Sequence, residues 1–187
     1  GQDVSGKSFS SSSLKNSSWV GTIATRTYYR DSNLTQSNFT NANLSGADFQ
    51  RATISGVDFT NANLSGVYFG YVKGLTDVQL RSASDVTNIC LADCDLSIFD
   101  LSGLNLSGIR LDCSELTNVN FKNSNLYNAF CEGATFINVN CNNTYINGGR
   151  FSRSNLEGTS FIGADLTAAV MDNTTLTNVN FTSAILS

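Results

Sequence analysis

The sequence predicts an all-β solenoid, a chain wound in square turns, and three observations predict it. The octapeptide from Phe39 to Gly46 recurs from Phe59 to Gly66, twenty residues later. Beneath that period lies one of five: every fifth residue from Val4 to Phe69, and again from Val86 to Leu186, is apolar. All thirty-five of these positions are apolar in a chain that is 41% apolar overall, which excludes chance. Two residues after each apolar centre, glycine and asparagine dominate, with eleven of each. Those two residue types tolerate positive φ, as the third position of a type II turn requires.

Each five-residue unit is therefore expected to be a very short extended piece followed by a tight corner. Its centre points inward, as does the small or β-branched residue two positions earlier, such as Ala42, Ala47, Ala52, Val57, Ala62 or Val67. The other three positions point outward. Four corners close a square, and the chain then climbs by one strand spacing, about 4.8 Å; about nine turns would reach roughly 40 Å. In the first run of repeats, Trp19, Phe39 and Phe59 share one inner face and Phe9, Tyr29, Phe49 and Phe69 the opposite one. Aliphatic columns (Leu14, Leu34, Ile54; Val4, Ala24, Leu44, Leu64) fill the faces between them. Near Ile89, Phe99, Leu104 and Ile109 bulky residues take the small inward slot, so local distortion is expected there.

The domain reading is one β-helix over 1–187, with repeats at 1–69, an insertion at 70–85 and repeats again at 86–187. From Phe69 to Val86 the spacing is seventeen, three units plus two residues. Within that interruption Thr76 followed by Gln79 matches a helix capping box, with Asp77 favourable in the first turn. A loop and a short helix are expected, with Leu75, Val78 and Leu80 turned toward the solenoid. Insertions on rigid scaffolds often carry binding, so Tyr71, Lys73 and Arg81 are candidate partner contacts.

These units resemble the pentapeptide-repeat proteins, whose motif is Ala-(Asp/Asn)-Leu-X-X. The motif stands here as Ala42-Asn43-Leu44-Ser45-Gly46, Ala47-Asp48-Phe49, Ala62-Asn63-Leu64-Ser65-Gly66 and Ala164-Asp165-Leu166-Thr167-Ala168. The resemblance covers nearly the whole chain and implies a right-handed quadrilateral β-helix. It also implies that most members lack a defined activity, and that some carry a DNA-mimicking acidic surface that binds gyrase and protects it from quinolones. The opening Gly1–Phe9 is similar to the start of mature thylakoid-lumen members. A thylakoid lumen or other exported compartment and the cytoplasm all stay open. The chain stops at Ser187 still in repeat phase, and that open edge leads to the expectation of an end-to-end homodimer, or of a cap in a longer native chain.

Composition narrows the functions. A formal charge of −4, with 14% charged residues, argues against a phosphate-binding surface, so no nucleic acid is expected. No apolar run approaches the length of a membrane span. The chain has no histidine, which removes the commonest general base and metal ligand. Among the five cysteines, Cys94, Cys131 and Cys141 fall on inward positions and Cys90 and Cys113 on outward ones, in no zinc spacing. The nine Asn-X-Ser/Thr sequons follow from the repeat consensus. Asp112, Glu132 and Asp172 share an outward column, but on a convex surface beside Arg110, Arg150 and Arg153 they have no pocket to shift their pKa. No catalytic, cofactor-binding or metal residue is assigned, and the chain is read as a non-enzyme.

Two functional classes remain. The favoured one is a non-catalytic structural or protein-interaction scaffold whose partner is an unknown protein. Its exterior is mostly Ser, Thr and Asn, with Tyr28, Tyr68, Tyr127 and Tyr145 outward; Tyr28 and Tyr68 share a column with Asp48 between them. These two tyrosines join the candidate partner contacts. DNA mimicry is the alternative, weakened by eleven basic residues among only fifteen acids.

Overall fold

The extended pieces contract to single residues. Each five-residue unit contributes one residue to a parallel β-bridge, the residue just before its apolar centre, and partners stand twenty positions apart. Asp3 pairs with Ile23, Ser8 with Tyr28, Ser13 with Asn33 and Ser18 with Asn38, and the pattern then repeats. The computed structural model describes residues 1–187, in two units, Gly1–Cys90 and Leu91–Ser187. Each unit is a repeat solenoid with one bridge position in every five residues.

The corners explain the composition. The residue three past a centre donates its N–H to that centre's carbonyl, as Thr22 does to Trp19 at 3.0 Å and Ala42 to Phe39 at 2.9 Å. Two past the centre the backbone is left-handed, with φ of 58° at Asn41 and 68° at Gly46. That is the type II corner expected from the glycine and asparagine columns. Between coils, the centre's N–H donates to the carbonyl nineteen residues on, for example Leu34 to Thr53 at 2.8 Å. The bridge residue's N–H donates to the coil before it, as Asn43 does to Thr22 at 2.9 Å. Where serine or threonine fills the small inward slot, its hydroxyl turns to a corner carbonyl: Ser124 Oγ donates to Phe121 O and Ser154 Oγ to Phe151 O, both at 2.6 Å. A buried hydroxyl is thereby satisfied inside an apolar core.

In the first unit the aromatic columns form as expected. Phe9, Tyr29 and Phe49 stack with centroids 5.7 and 4.8 Å apart, and Trp19, Phe39 and Phe59 with spacings of 5.7 and 5.8 Å. The two columns meet edge to face, for example Tyr29 on Phe39 at 5.7 Å, the geometry that aromatic quadrupoles favour. Tyr29 is fully buried and its hydroxyl has no hydrogen-bond partner.

The interruption changes the coil length from twenty residues to twenty-two, so that Asn63 pairs with Asp85 and Tyr68 with Cys90. Gly74, at φ 79°, starts the excursion; a Cβ there would stand 2.1 Å from Ser55 Oγ and 2.9 Å from Ser55 backbone, so glycine alone lets the chain pass this close. Helix α1 then spans Asp77–Ser82, capped by Thr76 with Gln79 completing the capping box. The helix face differs from expectation. Leu80 is fully buried and Leu75 half-buried, but Val78 is exposed, being two residues and therefore about 200° of helix away from Leu80. Gln79 is buried in its place, donating from Nε2 to the carbonyls of Ile54 and Val57 at 3.0 Å each. No helix is long and apolar enough to cross a membrane.

Two further expectations divide. Of the bulky residues in small slots, Ile89 and Ile109 are fully buried, whereas Phe99 and Leu104 are half-exposed. The corner bond from Leu104 N to Leu101 O stretches to 3.5 Å, yet Asn105 still bridges Asn125 in register. Cys90, expected outward, is buried, a small side chain beside its larger bridge partner Tyr68. Cys94, Cys131 and Cys141 are buried as expected and Cys113 is exposed; all five are free thiols.

Replacing Tyr29 by Phe removes an unsatisfied buried hydroxyl and keeps the ring stack. Tyr29→Phe should stabilise the fold by about 1–2 kcal/mol, read as a higher denaturant midpoint. Ile98 sits at φ 67° with its side chain 79% exposed, a β-branched residue held left-handed with little packing in return. Ile98→Asn should raise the thermal midpoint, by about 1 kcal/mol of stability, and an unchanged or lower midpoint would contradict the strain.

Candidate functional site

Because bridge partners lie twenty apart, side chains at those positions stand over one another about 4.8 Å apart. In the first unit this stacks Ser8, Tyr28, Asp48, Tyr68 and Cys90 in one column, joined by consecutive parallel bridges. Tyr28 and Tyr68 are 47% and 43% exposed, while Asp48 between them is buried, so two rings flank a sunken carboxylate. Together with Arg26, Gly46 and Gly66 they line a groove of about 320 Å³.

The glycines shape that groove. Arg26, Gly46 and Gly66 form the corner column along one edge, and a Cβ on Gly46 would press within 3.3 Å of Arg26 Cγ. The bare corner leaves room for the arginine stem to lie along it. The opposite edge is the corner column of Asp31, Arg51 and Tyr71. There Arg51 binds Asp31 through two hydrogen bonds, Nε to Oδ1 at 2.7 Å and Nη2 to Oδ2 at 2.8 Å.

Asp48 is saturated by its own chain. Its Oδ1 accepts from the backbone N–H of Gln50 at 3.0 Å, and its Oδ2 pairs with Arg30 Nε. Both carboxylates of this surface are thus matched by guanidiniums, Asp31 by Arg51 and Asp48 by Arg30, and Arg26 adds a further positive charge. The result is an aromatic, locally cationic face on a chain of net charge −4. Tyrosine and arginine are the residues that most often anchor protein contacts.

The sequence-derived contacts fall on three sides of the first unit. Tyr28 and Tyr68 share the groove, and Tyr71, 58% exposed at φ 55°, stands at its border. Lys73 is exposed on the next face, bridged to Thr53. Arg81 lies on α1, which covers the side opposite the tyrosine column, and does not join the others. Sequence reasoning missed Arg26, Arg30 and Arg51. The same period would have found Arg26 and Arg51, because 26, 46 and 66, like 31, 51 and 71, are corner positions one coil apart, whereas Arg30, one past the centre Tyr29, lies outside those columns.

Acidic side chains elsewhere are used in the same local way. Asp58 Oδ1 accepts from Thr60 N at 2.9 Å and Thr60 Oγ1 at 2.6 Å; Asp165 Oδ1 does so from Thr167 at 3.0 and 2.7 Å. The hydroxyl and the backbone N–H of those threonines hold both carboxyls below their usual range. Arg51 does the same for Asp31, and the Ser97 backbone for Asp95. Asparagines at equivalent positions accept the same bond, as Asn38 does from Thr40 N at 2.8 Å. The Asp/Asn position of the repeat therefore serves an Asx turn. On the second unit, Arg110 and Arg150 lie over the Phe130 ring at 5.8 and 5.0 Å, and Arg110 pairs with Asp112 at 3.2 Å.

A family model for pentapeptide repeats matches in eight copies, over residues 30–67, 89–126, 114–153 and 149–187. No curated protein matches the chain. Among solved structures the chain is similar to QnrB1, a plasmid-mediated fluoroquinolone resistance protein, with TM-score 0.51 and 12% identity over 96% of this chain and 93% of that one. It is also similar to HetL, a pentapeptide repeat protein involved in heterocyst differentiation regulation in the cyanobacterium Nostoc, at 16% identity, TM-score 0.36, and coverage of 99% and 89%. A pentapeptide repeat protein from the Arabidopsis thaliana thylakoid lumen matches at 29% identity and TM-score 0.27, over 74% of this chain and 67% of that one.

The Asx carboxyls predict an acid limb to stability. Their folded pKa values lie below the unfolded ones, so their contribution is complete above about pH 4 and is lost as pH falls through the folded values. The thermal midpoint should drop between about pH 4 and about pH 2, and Asp58→Asn, which keeps the acceptor and cannot titrate, should flatten that limb. A midpoint independent of pH over this range would refute the assignment.

Proposed function

This chain belongs to the pentapeptide-repeat proteins, and we propose that it is a non-catalytic protein-interaction scaffold that engages a partner protein through the Tyr28–Asp48–Tyr68 face. Proteins of this family are generally structural or interaction proteins. The observation that carries the reading is the pairing of two half-exposed tyrosines with arginines around a shallow groove whose carboxylates are already satisfied. Such a surface offers aromatic area and guanidinium donors to a partner while asking little reorganisation of its own. Tyr71 extends it at one edge. Lys73 and Arg81 belong to a neighbouring and an opposite side, and are proposed as separate, weaker contacts.

The finer architecture is part of the same proposal. A right-handed, four-sided coil of about nine turns, forming one domain over 1–187 with the insertion at 70–85, is supported by the shared period of both units and by the corner geometry. The DNA-mimicking, gyrase-binding alternative draws less support. It needs rows of carboxylates available to a partner, whereas here Asp31, Asp48, Asp58, Asp95 and Asp165 are bound to neighbouring groups of their own chain. The likeness to QnrB1 concerns the fold. Inhibition of gyrase supercoiling by the purified protein would reverse this order.

The test is capture of partners from the native host on immobilised protein, with a Tyr28→Ala/Tyr68→Ala double variant and an Arg81→Ala variant in parallel. One captured protein should be depleted about tenfold or more by the double variant and retained by Arg81→Ala. Loss with Arg81→Ala alone would move the contact to α1, and equal capture by all three proteins would remove the face from the reading. Sedimentation of the wild type reads the remaining occupant, a second copy in the homodimer expected from sequence.

A further inference from the structure

The second unit carries a groove of different chemistry, and we propose that it binds a neutral carbohydrate of one or two sugar rings. Its volume, about 420 Å³, lies in the range of small-molecule sites. The centre of the groove is one bridge column, Asn105, Asn125 and Tyr145. Corner residues border it, Asn123 on one edge and Tyr127 with Asn147 on the other.

Three observations select the ligand. First, the lining contains no acid and no basic residue, which disfavours phosphates, carboxylates and metal ions as occupants. Second, it is a field of amides. Asn125 Nδ2 donates to Asn105 Oδ1 at 3.0 Å, and Asn125 Oδ1 accepts from Tyr127 N at 3.0 Å. Asn147 Nδ2 donates to Asp165 Oδ2 at 2.9 Å, which fixes the amide. A primary amide has two donors and two acceptor lone pairs, so these bonds leave both kinds of site over for a ligand. Hydroxyl groups, which both donate and accept, match that surface; a polyproline segment, which has carbonyls and no N–H groups, would use the donors and leave the acceptors unmet.

Third, two tyrosine rings stand in the solvent beside the amides, Tyr127 at 52% and Tyr145 at 61% exposure. A pyranose ring has one face of C–H groups and an equator of hydroxyls. An aromatic face with a polar tip, next to amides, accommodates both. The half-exposed Leu104 adds an apolar patch beside Asn105. The groove is open, so affinity should be modest, with a Kd on the order of 1 mM.

The experiment is titration of the full chain with cellobiose and with maltose, each to about 20 mM, followed in amide NMR spectra. Saturable shifts are expected at residues 103–107, 123–127 and 145–147. Tyr127→Ala and Tyr145→Ala should each weaken binding about tenfold, while Tyr127→Phe retains it. Both tyrosines are exposed, so the variants should unfold at the wild-type midpoint; should an alanine variant fail to fold, Asn147→Ala and Tyr127→Phe supply the same comparison. Absence of saturable shifts with both sugars, shifts placed elsewhere, or binding of deca-proline in place of the sugars would each overturn the proposal.

Discussion

Everything in this molecule hangs on a left-handed residue placed two past each apolar centre. A corner at that spacing recurs four times in twenty residues, after which the chain pairs with its own earlier coil one strand spacing away. Glycine reaches the conformation without penalty and asparagine at small cost, and together they fill most of these positions. The corner also consumes its own polar groups, since the residue after it closes the turn by donating to the centre's carbonyl. The N–H one past the centre goes to the Asx side chain, as Thr40 N does to Asn38 Oδ1, and other backbone N–H groups pair between coils, so no long strand is needed. Burial of the centres then makes neighbouring coils interdependent, as expected of an array in which no single repeat is stable alone.

This constraint has a consequence for function. Inward positions are committed to packing, and of the outward positions the one before the centre is largely committed to Asx turns. Asp58 and Asp165 look like surface charges in a sequence, yet each receives a backbone N–H and a threonine hydroxyl. Freest of that commitment are the exceptions, positions where the repeat would place Asn or Asp and the chain has placed something else. Tyr28, Tyr68 and Tyr145 all occupy that position, as do Phe130, Arg110 and Arg150. Departures from a structural consensus that still bridge normally cost the fold nothing essential, so they can serve recognition.

Much of this was legible in the sequence because the period is arithmetic. Sampling every fifth residue identified the core columns, the corners and the Tyr28–Asp48–Tyr68 column, and seventeen residues between centres located the insertion. The capping box at Thr76 was readable from chemistry alone. The phase of α1 was not, because six residues are too few to define a hydrophobic stripe and the buried member is the polar Gln79, satisfied by carbonyls of Ile54 and Val57. Nor was the burial of Cys90, since period gives direction but not the size of the neighbours. Arg26 and Arg51 beside the groove were overlooked because corner residues were read for φ and not for side chain.

The two units share one backbone logic and present different surfaces. In the first, arginines gather around tyrosines and the acids are neutralised, which suits a protein partner bearing acceptors. In the second, tyrosines stand among uncharged amides, which suits hydroxyls. The difference resides almost wholly in bridge and corner positions, where a substitution alters what the surface offers and leaves the inward columns untouched. Chemical identity in such a chain is therefore set column by column, and it is the columns that break their own consensus that say what each side is for.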